Sequence, residues 1–504
     1  MAVWLVGCGG PEATAPPSAT RGPVASATSS ATASARARPT ATASPRPSPS
    51  ATPTASATPE PPYAALAWRG GGRRVWGLQL GLEYDAQRQA EAKARALPLA
   101  REAGLSSIRT TLRWDAIEPQ NVGPGAYDWA ATDRKLADYS AAGFDLLVSI
   151  VAYPAWATEY QCGGGLLPGM EPEWRELVRT VVARYSQPPY RVVAWEIGNE
   201  VDGESLVRED DRSRPADWGG GQPTTPYGGC WGGRAEAYAE FLRIADEAAK
   251  SVHPGIPVTL GGLAYADVNG WFDMAFLDAL LAAGGGEHFD FLGYHWFPNV
   301  RDAFPELPDG PEKLRRLMAI LARHGQSKPI WLTETYRFSV AGQPATRLRQ
   351  RDYLTRELVE VLAAGPVERV YWYSFVDFPA GYSDNERGIL DAAFAPKPAF
   401  PVLAYTLDYT QGAAEDLSRD AIRAYRFRRL GAPGQTLIAW TLDGAPAILE
   451  LPAEGAEPAH LTWFPDDLLS SGACCAEAEL PPEGGVYHLE LGADARYVAI
   501  GRAR

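Results

Sequence analysis

Several kinds of residue are scarce in this chain of 504 residues, and each scarcity removes a class of protein. Only five cysteines and six histidines occur, with no Cys-x-x-Cys pair and no His-rich spacing, so the sequence offers no metal site. Basic residues are outnumbered, 47 against 61 acidic, and the net charge of -14 gives no electrostatic reason to bind nucleic acid or an anionic membrane. No Gly-rich phosphate loop follows the first strand-like segment, which argues against a doubly wound nucleotide-binding sheet. The apolar run at the N-terminus is far too short to span a bilayer. No cofactor is called for. What is plentiful is aromatic: sixteen tryptophans and twenty-two tyrosines, most of them expected to pack, some offering the flat faces on which sugars stack.

The composition divides the chain. Residues 1–10, MAVWLVGCGG, resemble the end of a bacterial lipoprotein signal, which implies lipidation at Cys8 and membrane attachment through it; a chance match is the other reading. Residues 11–65 are almost wholly Ala, Ser, Thr and Pro, cannot bury a core, and are expected to form a disordered tether. A linker whose upstream domain is missing has the same composition. Together these segments predict an exported protein, either a cell-surface lipoprotein or an extracellular one. From 66 to 412, β-branched or aromatic runs alternate with longer segments of helical period. The runs at 74–80, 106–112, 145–151, 191–197, 257–263, 289–295, 329–335 and 369–375 are eight predicted strands. Between them, 234–252 carries Tyr238, Phe241, Leu242, Ala245, Ala249 and Val252 three or four apart, one apolar stripe. Eight such units predict an α/β fold, a (β/α)8 TIM barrel, whose functional groups stand at the C-terminal ends of the strands. From 413 to 504 short strands separated by Gly, Pro and Asp predict a small C-terminal β-sandwich, expected to brace the barrel.

Against that frame the carboxylates are informative. WEIGNE ends the fourth strand with Glu200, and WLTETY ends the seventh with Glu334. Two glutamates from opposite sides of a barrel mouth suit glycosidic bond cleavage, which needs a proton donor for the leaving oxygen and a second carboxylate against the anomeric carbon. Glu196, deeper in the fourth strand, reads as a buried partner for a strand arginine such as Arg109.

In these residues the sequence resembles the clan A glycoside hydrolases, retaining (β/α)8 enzymes with an Asn-Glu pair after strand four and a glutamate ending strand seven. RWDAIEPQ, YDWA with Asp133, YPAWA, WYSF, GILD and PKPAF agree in order. The IEP and PAWA features look most like the β-xylosidase family thirty-nine and neighbouring cellulase-like families. The resemblance implies that Glu334 is the nucleophile, Glu200 the acid/base, Asn199 the donor to a sugar 2-hydroxyl, and Arg109 the partner of the nucleophile. It implies cleavage of β-glycosidic bonds in plant-type or microbial oligo- and polysaccharides. His295 is expected to touch the sugar or stand behind a residue that does. Phe297 stands where many members have tyrosine, and Tyr294 or Tyr336 could replace the missing hydroxyl. Trp372 matches the tryptophan flooring the glycone site, and Trp156 could line the cleft, although a packed core ring fits either place. The long polar insertion after Asp202 offers Trp218, Tyr227 and Trp231 as further subsites, and a disulfide between Cys162 and Cys230 would tie it down; the alternative is a surface loop with a free thiol. Adjacent Cys474 and Cys475 are poorly placed to bond with each other. The rival function is a carbohydrate-binding protein on a barrel without activity.

Overall fold

The computed structural model describes residues 73–501, apart from 81–85, 124, 204–229, 267–270, 341, 344, 380–384, 429–432, 454 and 467–473. Cys8, the tether, and the Trp218 and Tyr227 of the insertion lie outside the described residues.

Each expected run of β-formers is a strand: β1 (Val75–Gln79), β2 (Ser107–Arg113), β3 (Asp145–Val151), β4 (Val192–Ile197), β5 (Val258–Leu260), β6 (Leu292–Trp296), β7 (Ile330–Thr335) and β8 (Val367–Tyr373). All pair in parallel, in the order β5-β4-β3-β2-β1-β8-β7-β6. A single parallel bridge, Leu263 to Tyr294, closes the ring. Because successive side chains alternate, each strand sends one set into the lumen and the other against the helices. Leu147, Ala194, Phe291, Trp331 and Tyr371 form an apolar cluster of their own inside the barrel, which makes the lumen a packed core and leaves only its upper end for chemistry.

Helices α1 (Ala86–Glu102), α2 (Ala130–Ala141), α3 (Glu171–Tyr185), α4 (Ala235–Val252), α5 (Phe276–Ala282) and α6 (Gly310–Arg323) cover the strands. A seventh, α7, runs from Ala345 to Ala363 through a π-helical turn at Tyr353–Glu357, and α8 (Ala399–Tyr409) completes the ring. In α4 the expected stripe is buried from Tyr238 to Ala249, while Val252 sits at the exposed end, 36% accessible. Phe241 of that stripe stacks on Trp174 of α3 at 4.2 Å between ring centroids.

The C-terminal region is two antiparallel sheets. Six strands, β9 (Ala413–Asp416), β10 (Ile422–Arg428), β11 (Gln435–Thr441), β13 (Ala459–Trp463), β14 (Ala476–Leu480) and β16 (Arg496–Ile500), order as β9-β10-β11-β16-β13-β14; β12 (Ala447–Pro452) pairs with β15 (Val486–Leu491). One face of the larger sheet meets the smaller through Leu437, Leu449, Leu489 and Val498. Its other face sends Tyr425, Phe427, Trp440 and Tyr497 into the same apolar core as the barrel helices. Tyr497 packs its ring 5.3 Å from Tyr409 of α8, with its hydroxyl 2.8 Å from that of Thr406. The two parts therefore share one core. Replacing Tyr497 by Ala is expected to cost about 3–5 kcal/mol and to lower the melting of barrel and sandwich as one transition; a separate barrel transition at its original temperature would contradict the shared core.

Candidate active site

The mouth of the barrel is organised on one guanidinium. Alternation along β2 turns Ser107 and Arg109 into the lumen, where Arg109 is 3% exposed. Its Nε donates to Glu196 Oε2 at 2.7 Å, Nη1 to Glu334 Oε1 at 2.5 Å, and Nη2 to Asn199 Oδ1 at 2.7 Å. Burial disfavours the cation, but the charges of Glu196 and Glu334 outweigh it and hold Arg109 above its ordinary range. Glu196 is fully buried and also accepts from the Ser149 hydroxyl and, at 3.1 Å, from the Gly262 N–H. Its lone pairs are taken up by the protein itself.

Strict alternation along β7 would face Trp331, Thr333 and Thr335 inward and bury Glu334 among the helices. A bulge prevents this. Tyr294 pairs with Leu332 and His295 with Glu334, so Thr333 is the extra residue, and the β8 register shows the same slip. The bulge re-aims Glu334 into the lumen, where Gln79 at the end of β1 donates to its Oε1 at 3.1 Å. At β4 the strand breaks instead. Gly198 has φ 88° and Glu200 φ 44°, and a Cβ on Gly198 would lie 2.8 Å from Val201 Cγ1, so this left-handed turn requires glycine. It presents Asn199 and Glu200 upward, with the Glu200 N–H held by the Gly262 carbonyl at 2.9 Å.

His295 joins the two glutamates. Its Nδ1 lies 3.1 Å from Glu200 Oε1 and 3.9 Å from Glu334 Oε2. One imidazole nitrogen thus stands within reach of both carboxyl groups across the mouth. Burial pushes the imidazole down to about 4, with the Glu334 charge opposing it, so the ring is neutral at pH 7 and its Nδ1 can donate to Glu200.

Tyr336 stands at the mouth, its ring 4.5 Å from Phe297 and 6.1 Å from Tyr373, with Arg387 4.8 Å above it. Two expectations need correction by one residue of register. Trp372 is fully buried on the helix side of β8, packed on Tyr353 with its indole N–H on the Arg387 carbonyl, and cannot floor a subsite. The lumen side of β8 carries Tyr371 and then Tyr373, the ring that does reach the mouth. Tyr294 is likewise fully buried in the core behind His295, and cannot supply a hydroxyl to the site. Trp156 is half-buried, edge-on to Trp114 at 5.4 Å and bonded to the Glu118 carbonyl at 3.2 Å. Glu118 of the IEP motif accepts from the Trp114 indole at 2.9 Å, so the IEP and PAWA motifs meet in one packed corner. Trp231 is fully buried against Tyr238 and Phe241 and lines no subsite. Cys162 and Cys230 are joined by a disulfide, their Cα atoms 5.5 Å apart, which ties the loop after β3 to the start of α4. Cys474 and Cys475 form no disulfide; the Cys474 thiol donates to Cys475 Sγ at 3.1 Å.

Sequence reasoning missed Gln79, Tyr373 and Gly262. Alternation in VWGLQ places Gly77 and Gln79 on the lumen side opposite Trp76 and Leu78, which was a readable signal for the first. For Gly262 the reason is contact: a Cβ there would lie 2.4 Å from His295 Nε2 and 2.5 Å from Thr333 Oγ1.

No protein-family model and no curated protein matches the chain. Solved structures do. A family 39 glycoside hydrolase from the gut symbiont Bacteroides cellulosilyticus WH2 aligns with a TM-score of 0.58 at 18% identity, over 85% of this chain and 82% of the other. A GH30 endoxylanase from Clostridium papyrosolvens C71 gives 0.57 at 12% identity, over 86% and 97%. A glucosidase from Croceicoccus marinus gives 0.57 at 15% identity, again over 86% and 97%. The chain shares the architecture of these glycoside hydrolases, a (β/α)8 barrel with a C-terminal β-domain. At such identities the likeness is one of fold.

The His295 environment carries a pH signature. Its folded pKa is depressed, so the unfolded chain binds the proton more tightly; stability from this residue is full above about 6.5 and lost as pH falls towards about 4. Thermal melting of the wild type is expected to drop more steeply than that of His295→Asn between those limits. Parallel curves would show that the imidazole is not buried neutral.

Proposed function

We propose that the chain is a retaining glycoside hydrolase that cleaves β-glycosidic bonds of oligo- or polysaccharides by double displacement. The observation that carries the reading is the convergence of Glu334 on Arg109 while Glu200 stands across His295 from it. Arg109 and Gln79 both donate to Glu334 Oε1 and fix the direction of its carboxyl group, as a nucleophile requires. Glu200, protonated, gives its proton to the leaving oxygen as Glu334 bonds to the anomeric carbon and forms a glycosyl ester. Glu200, ionised by the loss of that proton, then takes one from the water that attacks the anomeric carbon, breaking the ester, freeing the Glu334 carboxylate and releasing the sugar with net retention. Asn199 turns its oxygen to Arg109 and thereby presents its NH2 as the donor end, suited to a sugar 2-hydroxyl. Tyr336 and Tyr373 are the faces against which a sugar ring would rest.

The reading includes an exported protein, either lipidated at Cys8 and held at the cell surface through its tether or extracellular. The Cys162–Cys230 disulfide supports an oxidising compartment.

Glu334→Ala is expected to lower hydrolysis of aryl β-glycosides by about three orders of magnitude, with azide restoring part of the rate and yielding the α-glycosyl azide. Undiminished hydrolysis by that variant would remove Glu334 from the mechanism.

A further inference from the structure

Lys313 reaches the site from the first turn of α6 and is only 6% exposed, yet double displacement between Glu334 and Glu200 makes no use of it. An ammonium has three N–H donors. Lys313 gives two to backbone carbonyls, Ala264 at 2.7 Å and His295 at 3.2 Å. The same stretch of chain is held from its N–H side by Asp202, whose carboxylate accepts from Ala264 at 3.0 Å and Tyr265 at 2.7 Å. Lys313 and Asp202, both buried, thus grip the segment after β5 from its carbonyl and N–H sides, beside the turn that presents Glu200. Next to this grip lies a cavity of about 30 Å³ that Lys313 and Glu200 both line, otherwise walled mainly by apolar side chains such as Trp296, Phe297 and Leu307. Such a volume accommodates about one water molecule.

A neutral donor would satisfy two carbonyls without the expense of burying a charge. The charge itself therefore asks for an explanation, and two carboxyl groups supply one: Asp202 first, and Glu200 across the cavity. We propose that Lys313 is a positioning residue for the acid/base: it fixes the His295 backbone that sets the imidazole against Glu200, and its charge, acting across the cavity, favours the ionised Glu200 carboxylate. The proposal rests on the reading of Glu200 as acid/base. In chemical terms it would assist the second half-reaction, where Glu200 works as a base.

Burial lowers Lys313 to about 8, with Asp202 and Glu200 pulling the other way, so the ammonium is charged through the acidic and neutral range in which a carboxyl titrates. Among the described residues, the other charged or titratable groups near this pair include Asp202 and Glu196 from β4 and its turn, Arg109 from β2, His295 from β6, Glu334 from β7, and Arg301 and Tyr265 at the cavity wall. On α6 itself, Asp309 caps the helix and Glu312 pairs with Arg315 and Arg316. Burial pushes Asp202 up to about 7 and it interacts with both Lys313 and Glu200, so the titrations are made in parallel in an Asp202→Asn background, where its charge cannot change.

The test is a substrate-free NMR titration of the full chain with 13C-labelled Glu carboxyl and Lys ε-carbons, the Glu200 signal assigned by its loss in Glu200→Gln. In Lys313→Met the Glu200 midpoint is expected to rise by about one pH unit, and in Lys313→Gln, which keeps a donor for the carbonyls, by a similar amount. Reciprocally, the Lys313 midpoint should fall in Glu200→Gln, a surface-reaching change that leaves the carbonyl bonds intact. A Glu200 midpoint unmoved in a folded Lys313 variant, or a Lys313 midpoint unmoved in Glu200→Gln, overturns the proposal. Hydrolysis by Glu200→Gln tests the acid/base reading separately, because the titrations need no turnover.

Discussion

Everything at the mouth of this barrel hangs on the three nitrogens of Arg109. Each takes a different partner, Glu196, Glu334 or Asn199, so a single side chain on β2 fixes the relative placement of groups from β4 and β7. Two carboxylates buried in the lumen would otherwise repel each other at short range. With the guanidinium between them, Glu196 serves as the fixed anchor and Glu334 keeps one oxygen turned towards the cleft. Removing a single partner from such a network leaves an uncompensated buried charge, which typically costs about 3–5 kcal/mol. The site is consequently coupled to the fold, and its geometry is as rigid as the strands that carry it.

Around that node the backbone departs from regularity where the chemistry needs it to. A bulge at Thr333 turns Glu334 inward, and a left-handed turn at Gly198 to Glu200 lifts the second glutamate out of its strand. Gly262 lets His295 approach closely enough to stand between the two. Away from the mouth the chain returns to ordinary packing: the lumen is plugged by aromatic and aliphatic side chains, and the C-terminal sheet leans its tyrosines and tryptophan on the barrel helices.

Much of this was legible in the sequence because period and punctuation were clean. Eight runs of β-formers marked all eight barrel strands; in the C-terminal sheet Ala413–Asp416 and Ala476–Leu480 carry no such mark, because their acidic, alanine-rich composition lacks β-branched residues. The glutamates at the ends of β4 and β7 were found for the same reason. Register was harder. A period of two assigns every side chain to the wrong face when it is counted one residue out, which is how Trp372 was read for Tyr373 and why Tyr294 was offered to the site. The Thr333 bulge shows the converse case, since strict counting would have hidden Glu334. Lys313 and Gly262 owe their importance to contacts between segments distant in the chain, which no local pattern encodes.

The central claim is that Arg109 holds Glu334 ready to bond to an anomeric carbon. Incubation of the protein with a panel of 2,4-dinitrophenyl 2-deoxy-2-fluoro-β-glycosides, followed by mass spectrometry of the intact chain and its peptides, tests this most directly. The account predicts a single added fluorosugar, located on the peptide that contains Glu334. A label located on Glu200 or Glu196, or turnover of the reagents with release of the inverted sugar and no adduct, would contradict it.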